Sequence, residues 1–248
     1  LLCIKEDDEE APRRLLLPLG VSNISATFLK DIAVSNNCPH FCAVPENIWS
    51  ESISVFFHVQ DEGKNANYIY LADDLAYLKG NRFSAKRNHI NYFTNQFAAG
   101  GMVVEPITAA TAKECWGCLQ RWREEKFQQK NTDNSPLMEE EFAASTRALD
   151  TIEKLDWLSV LVRVEGEVCA FALGSRLMEG VVVLNFEKAL TTFRGLYQFL
   201  DREFARASVA AGYRYINKEN DMGMNNLRAS KESYHPYDKL RSFSLSLK

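Results

Sequence analysis

What the sequence has little of narrows its class before any motif is read. Only six of its 248 residues are cysteines, at positions 3, 38, 42, 115, 118 and 169; this is too sparse for a disulfide framework, and a reducing, cytoplasmic setting is the expectation. No run of apolar residues and glycine exceeds eight (97–104), against the roughly twenty that a membrane-spanning helix needs, so no transmembrane segment is expected. Twelve glycines and seven prolines are too few for a collagen-like or low-complexity chain. Positive charge is not in excess: 29 basic against 33 acidic residues leaves −4, with a pI near 5.7, so any polyanionic partner has to meet a local patch. The chain opens on Leu1 with neither a methionine nor a signal-peptide pattern, so upstream residues are expected to be missing and secretion is not expected.

Several catalytic signatures are absent as well. There is no G-x-x-x-x-G-K-[ST], no G-x-G-x-x-G, no G-x-S-x-G elbow and no H-E-x-x-H. The histidines, at 40, 58, 89 and 235, are scattered and read as structural. Cys38-Pro-His40-Phe-Cys42 and Cys115-Trp-Gly-Cys118 are the nearest approach to a zinc set, but the second lies inside an amphipathic helical pattern; packing is the expectation and no metal is assigned.

What is present is an ordinary globular composition, 46% hydrophobic and 25% charged, sized for one large domain or two small ones. The second half has the clearer pattern. A strand is predicted at 102–106, then a helix capped by Thr108 and running to Gln128, with Cys115, Leu119 and Trp122 on one face. A loop at 130–136 precedes a helix opened by Glu139-Glu140-Glu141. Strands at 158–164, 168–176 and 181–188 form an antiparallel meander through turns at Glu165-Gly166 and 178–180. A helix at 194–210 stopped by Gly212, a strand at 213–217, a helix at 225–232 and a last alternating strand at 239–247 complete the order β-α-α-β-β-β-α-β-α-β. That order resembles the N-acetyltransferase-like fold, a mixed α/β sheet flanked by helices, so residues 102–248 are expected to form one sheet in which 181–188 and 213–217 are parallel neighbours. In the first half, strands at 14–19, 55–59 and 68–71 and helices at 25–34 and 84–99 are consistent with a second, degenerate copy, giving tandem domains at 1–100 and 101–248. The acidic run 6–10 reads as a solvated segment.

Three clusters carry candidate chemistry. Between Asp74 and Glu105 no acidic residue occurs, while Lys79, Arg82, Lys86 and Arg87 do. Lys86 and Arg87 fall in the first turn of a predicted helix, where cations oppose the dipole; an anionic ligand would compensate them, the alternative being a solvated helix end or an ion pair with a distant carboxylate. Asn185-Phe186-Glu187 and Asn217-Lys218-Glu219 close two strands that splay apart in this fold. A period of two places Asn and Glu of each triplet on one face with Phe186 and Lys218 on the other, and a carboxylate there is placed to orient or deprotonate an amine, the alternative being ion pairs to Lys188 and Arg194. Finally Arg228 and Lys231, three apart on one helix, make a double cation suited to phosphate, or Arg228 pairs with Glu232.

The stretches 79–93, 185–189, 194–198, and 215–223 with 227–236 together resemble a bacterial family similar to the C-terminal catalytic domain of phosphatidylglycerol lysyltransferase. The resemblance covers about residue 68 to the C-terminus and, more weakly, the start. It implies tandem N-acetyltransferase-like domains and passage of an aminoacyl group from aminoacyl-tRNA to an acceptor that is a small molecule, a peptide or a lipid headgroup. Taken with the clusters above, the candidate reaction centre is Glu187, Lys188, Asn217, Glu219, Asp221, Arg228 and Lys231, with candidate donor contacts Lys86, Arg87, Asn88, Asn185, Arg194, Gly195, Tyr197 and Tyr234. No bound cofactor is implied, beyond acyl-CoA as an alternative donor. The acetyl-CoA pyrophosphate loop [QR]-x-x-G-x-[GA] corresponds here to 191–197 and keeps only Gly195, which disfavours acetyl-CoA. The rival readings are an acetyl-CoA N-acetyltransferase and a non-catalytic binding module that keeps the fold.

Overall fold

The computed structural model describes residues 2–4, 14–16, 24–48, 50–63, 66–97, 101–128 and 135–248; the acidic run 6–10 and most of the expected loop at 130–136 lie outside them. The chain divides into two compact units, one of Leu1–Ile69 with Glu219–Lys248 and the other of Tyr70–Lys218.

The first unit holds a five-stranded sheet in the order β1-β2-β3-β12-β4 (β1 Leu2–Ile4, β2 Arg14–Leu16, β3 His40–Pro45, β4 Phe57–Asp61, β12 Ser242–Leu247), with β2 and β3 parallel and the other pairs antiparallel. Helix α1 (Ala26–Ser35) begins where Ser25 Oγ accepts the Phe28 N–H at 3.1 Å, and it buries Ala26, Leu29 and Ala33 against Phe41, Phe57 and Leu245. A short helix, α2 (Ile53–Phe56), replaces the start of the strand expected at 55–59, because the N–H groups of Ile53, Ser54 and Val55 turn back onto Ser50, Glu51 and Ser52. The expected last strand is two strands. β11 (Asp238–Leu240) pairs with the first residues of β5 (Asn67–Leu71), whereas β12 enters the five-stranded sheet between β3 and β4. The expectation of one sheet for 102–248 is therefore corrected at Arg241. Its carbonyl receives the Glu46 N–H and its guanidinium binds Glu46 and Asp61, ending the ladder there.

The second unit carries the remainder of β5 and the strands β10-β9-β8-β7-β6 in that order (β6 Met102–Glu105, β7 Trp157–Val164, β8 Glu167–Met178, β9 Val181–Ala189, β10 Tyr215–Asn217). The meander β7-β8-β9 is antiparallel, and its first turn is Glu165-Gly166, both at positive φ (52° and 89°), the two-residue hairpin geometry that glycine favours. β9 and β10 pair in parallel, as expected from the crossover helix α7 (Leu196–Ala210). Val168 to Gly174 of β8 is buried throughout, as in a strand covered on both faces. α5 (Ala109–Gln128) contributes Cys115, Cys118, Leu119 and Trp122, and α7 contributes Leu196, Phe199, Leu200 and Phe204. Burial raises the Cys115 thiol to about 12, so it is a packing group and not a thiolate. α6 (Ser135–Asp150) starts a turn earlier than expected, which places Glu139 opposite Arg123 in a bidentate pair instead of at the helix start. Among the described residues no helix is long and apolar enough to cross a membrane.

Candidate active site at the divergence of two strands

One irregularity in β9 builds the site. Its register on β8 runs Leu173↔Phe186 and then Gly174↔Leu184, so Asn185 is an extra, bulged residue. The Asn185 side-chain oxygen accepts the Ser175 N–H at 2.9 Å and the Ser175 hydroxyl at 2.7 Å, supplying partners the bulge takes from the ladder. Gly174 is required opposite it. A Cβ there would lie 2.5 Å from the Phe204 ring and 2.7 Å from the Val183 carbonyl. Pairing of β9 with β10 ends at Val183↔Asn217, and the residues past the bulge stand beside the gap.

The bulge also shifts the phase of the strand end, which corrects the expectation that Lys218 faces away from Glu187. Lys218 Nζ lies 3.4 Å from Glu187 Oε2 and forms an ion pair with Asp201 of α7. Asn217, at the last residue of β10, is 5% exposed. The second oxygen of Glu187, Oε1, is buried and meets no hydrogen-bond partner among the described residues. Burial, reinforced by the Asp201 charge and opposed by Lys218, pushes the Glu187 carboxyl up to about 7. Burial works against Lys218 too, but Asp201 and Glu187 hold it above the ordinary lysine value. Lys86, from α4 (Ser84–Gln96), is lowered by burial, and the Asp201 and Glu187 charges oppose that. The carboxylates of Glu187 and Asp201 thus meet the ammoniums of Lys218 and Lys86, with Lys188 acting on Glu187 from the other face of β9. Sequence reasoning missed Lys218 and Asp201; an acid buried on the apolar stripe of α7 was the available signal.

Neighbouring candidates have partners of their own. Lys188, next to Glu187 and on the opposite strand face, is 3% exposed, lies 4.8 Å from the Trp122 ring centre and pairs with Glu141. Tyr197 accepts the Trp122 indole N–H at 2.9 Å, and burial together with the Glu187 charge pushes its hydroxyl up. Arg87 donates to the Leu78 and Gly80 carbonyls at 2.5 and 2.7 Å, closing the end of α3 (Ala72–Tyr77), while Asn88 is exposed. Arg194 stands 4.9 Å over the Tyr92 ring. Gly195, at φ +90°, lets α4 approach: a Cβ would sit 2.1 Å from the His89 carbonyl oxygen. Thr191 is held by Glu125 through its N–H and hydroxyl at 2.7 and 2.8 Å.

The first unit has a separate polar cluster. Asp221 accepts from the Tyr68 hydroxyl (2.7 Å), Arg228 Nε (2.8 Å) and the Gly223 N–H (2.8 Å). The Arg228 guanidinium, helped by Tyr68, holds the Asp221 carboxyl well below the usual range, while burial and Asp221 push Tyr68 up to about 12. Arg228 therefore pairs with Asp221 and not, as the alternative had it, with Glu232, whose partner is Lys239. Lys231, on α8 (Asn225–Glu232), donates to the Asn220 carbonyl, and its ammonium lies 5.7 Å from the Tyr68 ring centre. Tyr234 is buried and Glu219, at φ +55°, is exposed. Among the described residues no group of three or more His, Cys, Asp and Glu is placed to hold a metal ion.

A conserved protein of unknown function from Bacteroides thetaiotaomicron VPI-5482 is 31% identical over 95% of this chain and 79% of that one, with a TM-score of 0.81. L-PGS from Bacillus licheniformis shares the fold at 13% identity, covering 90% of this chain and 73% of that one, with a TM-score of 0.62. FemX shares it at 12% identity, covering 99% and 83%, with a TM-score of 0.51. No curated protein matches. The family model described as phosphatidylglycerol lysyltransferase, C-terminal, matches residues 15–245, and the chain belongs to that family.

Proposed function

We propose that this protein is an aminoacyltransferase whose reaction centre is Glu187, with aminoacyl-tRNA as donor and an amine or hydroxyl as acceptor. The observation that carries this reading is the buried, unpartnered Glu187 oxygen beside the gap between β9 and β10. A carboxyl held near neutrality accepts a proton at physiological pH and returns it. In the step proposed, the acceptor heteroatom attacks the ester carbonyl carbon of the donor as its proton passes to Glu187. The ester C–O bond then breaks, and the proton leaves with the donor hydroxyl. Asn217 ends β10 beside the same gap, and in the other unit Arg228 and Lys231 are candidate contacts for donor phosphates. Family membership supports aminoacyl transfer. Acyl-CoA is disfavoured because Gly195, the one glycine of the corresponding loop, is occupied by the close approach of His89. In the first unit, the parallel β2-α1-β3 arrangement in a mixed sheet supports reading it as a degenerate second copy of the fold.

The test is to offer the purified chain charged tRNA, uncharged tRNA and acyl-CoA, and to follow binding and transfer of labelled acyl groups to amines, hydroxyl compounds and phosphatidylglycerol vesicles. Transfer from charged tRNA alone is expected. Transfer from acyl-CoA alone would establish the acetyltransferase reading, and binding without transfer the non-catalytic one.

A further inference from the structure

The cluster behind Glu187 contains more charge than packing needs. Lys218 and Asp201 are 11% and 8% exposed at their side chains, and burying such a pair gains little over apolar residues of the same size because desolvation offsets the attraction. A purely structural network would also satisfy both oxygens of Glu187, since a buried acceptor left without a partner is costly. Here Oε2 is held and Oε1 is not. Three charged groups face the carboxyl, Lys218 beyond β10, Asp201 from α7 and Lys86 from α4, while Lys188 acts on it from the other face of β9 and the neutral Tyr197 lies near.

We infer that Lys218, anchored by Asp201, is the positioning residue of this centre: its ammonium fixes Glu187 through Oε2 and leaves Oε1 for the nucleophile's proton. The inference rests on the proposed role of Glu187. Asp201 acts on the carboxyl in two ways, as a like charge and as the anchor that keeps Lys218 from pairing with Glu187 alone. The two supporting residues therefore bias Glu187 in opposite directions. Removing Lys218 strengthens proton binding by Glu187, and removing the Asp201 charge weakens it.

The test is infrared difference titration of carboxyl bands in the full chain, with the Glu187 band identified by its loss in Glu187→Gln. Lys218→Met is expected to move the Glu187 midpoint up by about one pH unit or more, Asp201→Asn to move it down by a similar amount, and Lys218→Arg to restore it in part. The pH–rate profile for transfer should move with each midpoint. A Glu187 midpoint that Asp201→Asn leaves in place overturns the inference, even if Lys218→Met fails to fold. Shifts as expected with full transfer by Glu187→Gln would instead leave Lys218 controlling the carboxyl and remove the catalytic reading of Glu187.

Discussion

At the scale of single residues, the site depends on which groups are buried without full compensation. Glu187 must be ionised to accept a proton, so transfer should rise with pH through about 7 and level off above it, measured as kcat/KM under saturating donor. Asp221 presents the opposite case. Its pKa is depressed in the folded state, so its stabilising contribution is present above the ordinary value of 3.8 and is lost as pH falls below that toward the depressed value. Thermal unfolding between pH 6 and pH 2.5 should show wild type well above Asp221→Asn at the neutral end, with the two converging in acid. A gap that stays constant with pH would contradict the ion-pair account. Gly195→Ala faces both a positive φ and the His89 carbonyl, and urea unfolding should report a loss of about 1–3 kcal/mol or more.

At the scale of elements, much of this architecture was readable from periodicity. The meander, α5, α7, and α8 at 225–232 emerge where apolar spacing and turn residues agree. The facing of Lys218 was not legible, because a period of two assumes an unbroken ladder and the bulge at Asn185 adds one residue to it. Pairing partners were likewise hidden: 239–247 alternates evenly, yet Arg241 divides it between β11 and β12. The basic island was legible as a sequence anomaly with alternatives left open, and in the structure Arg87 turns to backbone carbonyls while Lys86 interacts with the charges of Asp201 and Glu187. Asn185→Ala tests the bulge. It strands the Ser175 N–H and hydroxyl, so it should cost about 1–3 kcal/mol in urea and lower transfer by disturbing the strand end that carries Glu187. Unchanged stability and transfer would mean that the bulge does not depend on that side chain.

At the scale of the whole molecule, each unit has its own charged cluster. Glu187, Lys218 and Asp201 belong to Tyr70–Lys218, and Asp221, Arg228 and Lys231 to the segment beginning at Glu219. An acidic chain of net charge −4 has no global field to gather tRNA, so donor binding has to depend on local cations and fall with added salt. Arg228→Ala and Lys231→Ala are expected to weaken charged-tRNA binding and flatten its salt dependence, by somewhat less than one unit of log–log slope for each single-strand phosphate left without its cation. The central claim meets its most direct test in single-turnover transfer from charged tRNA by wild type and Glu187→Gln, beside thermal unfolding of both. The account predicts transfer by wild type and a rate on the order of a hundredfold lower in the variant, with little change in unfolding temperature. Equal rates in the two proteins would contradict it.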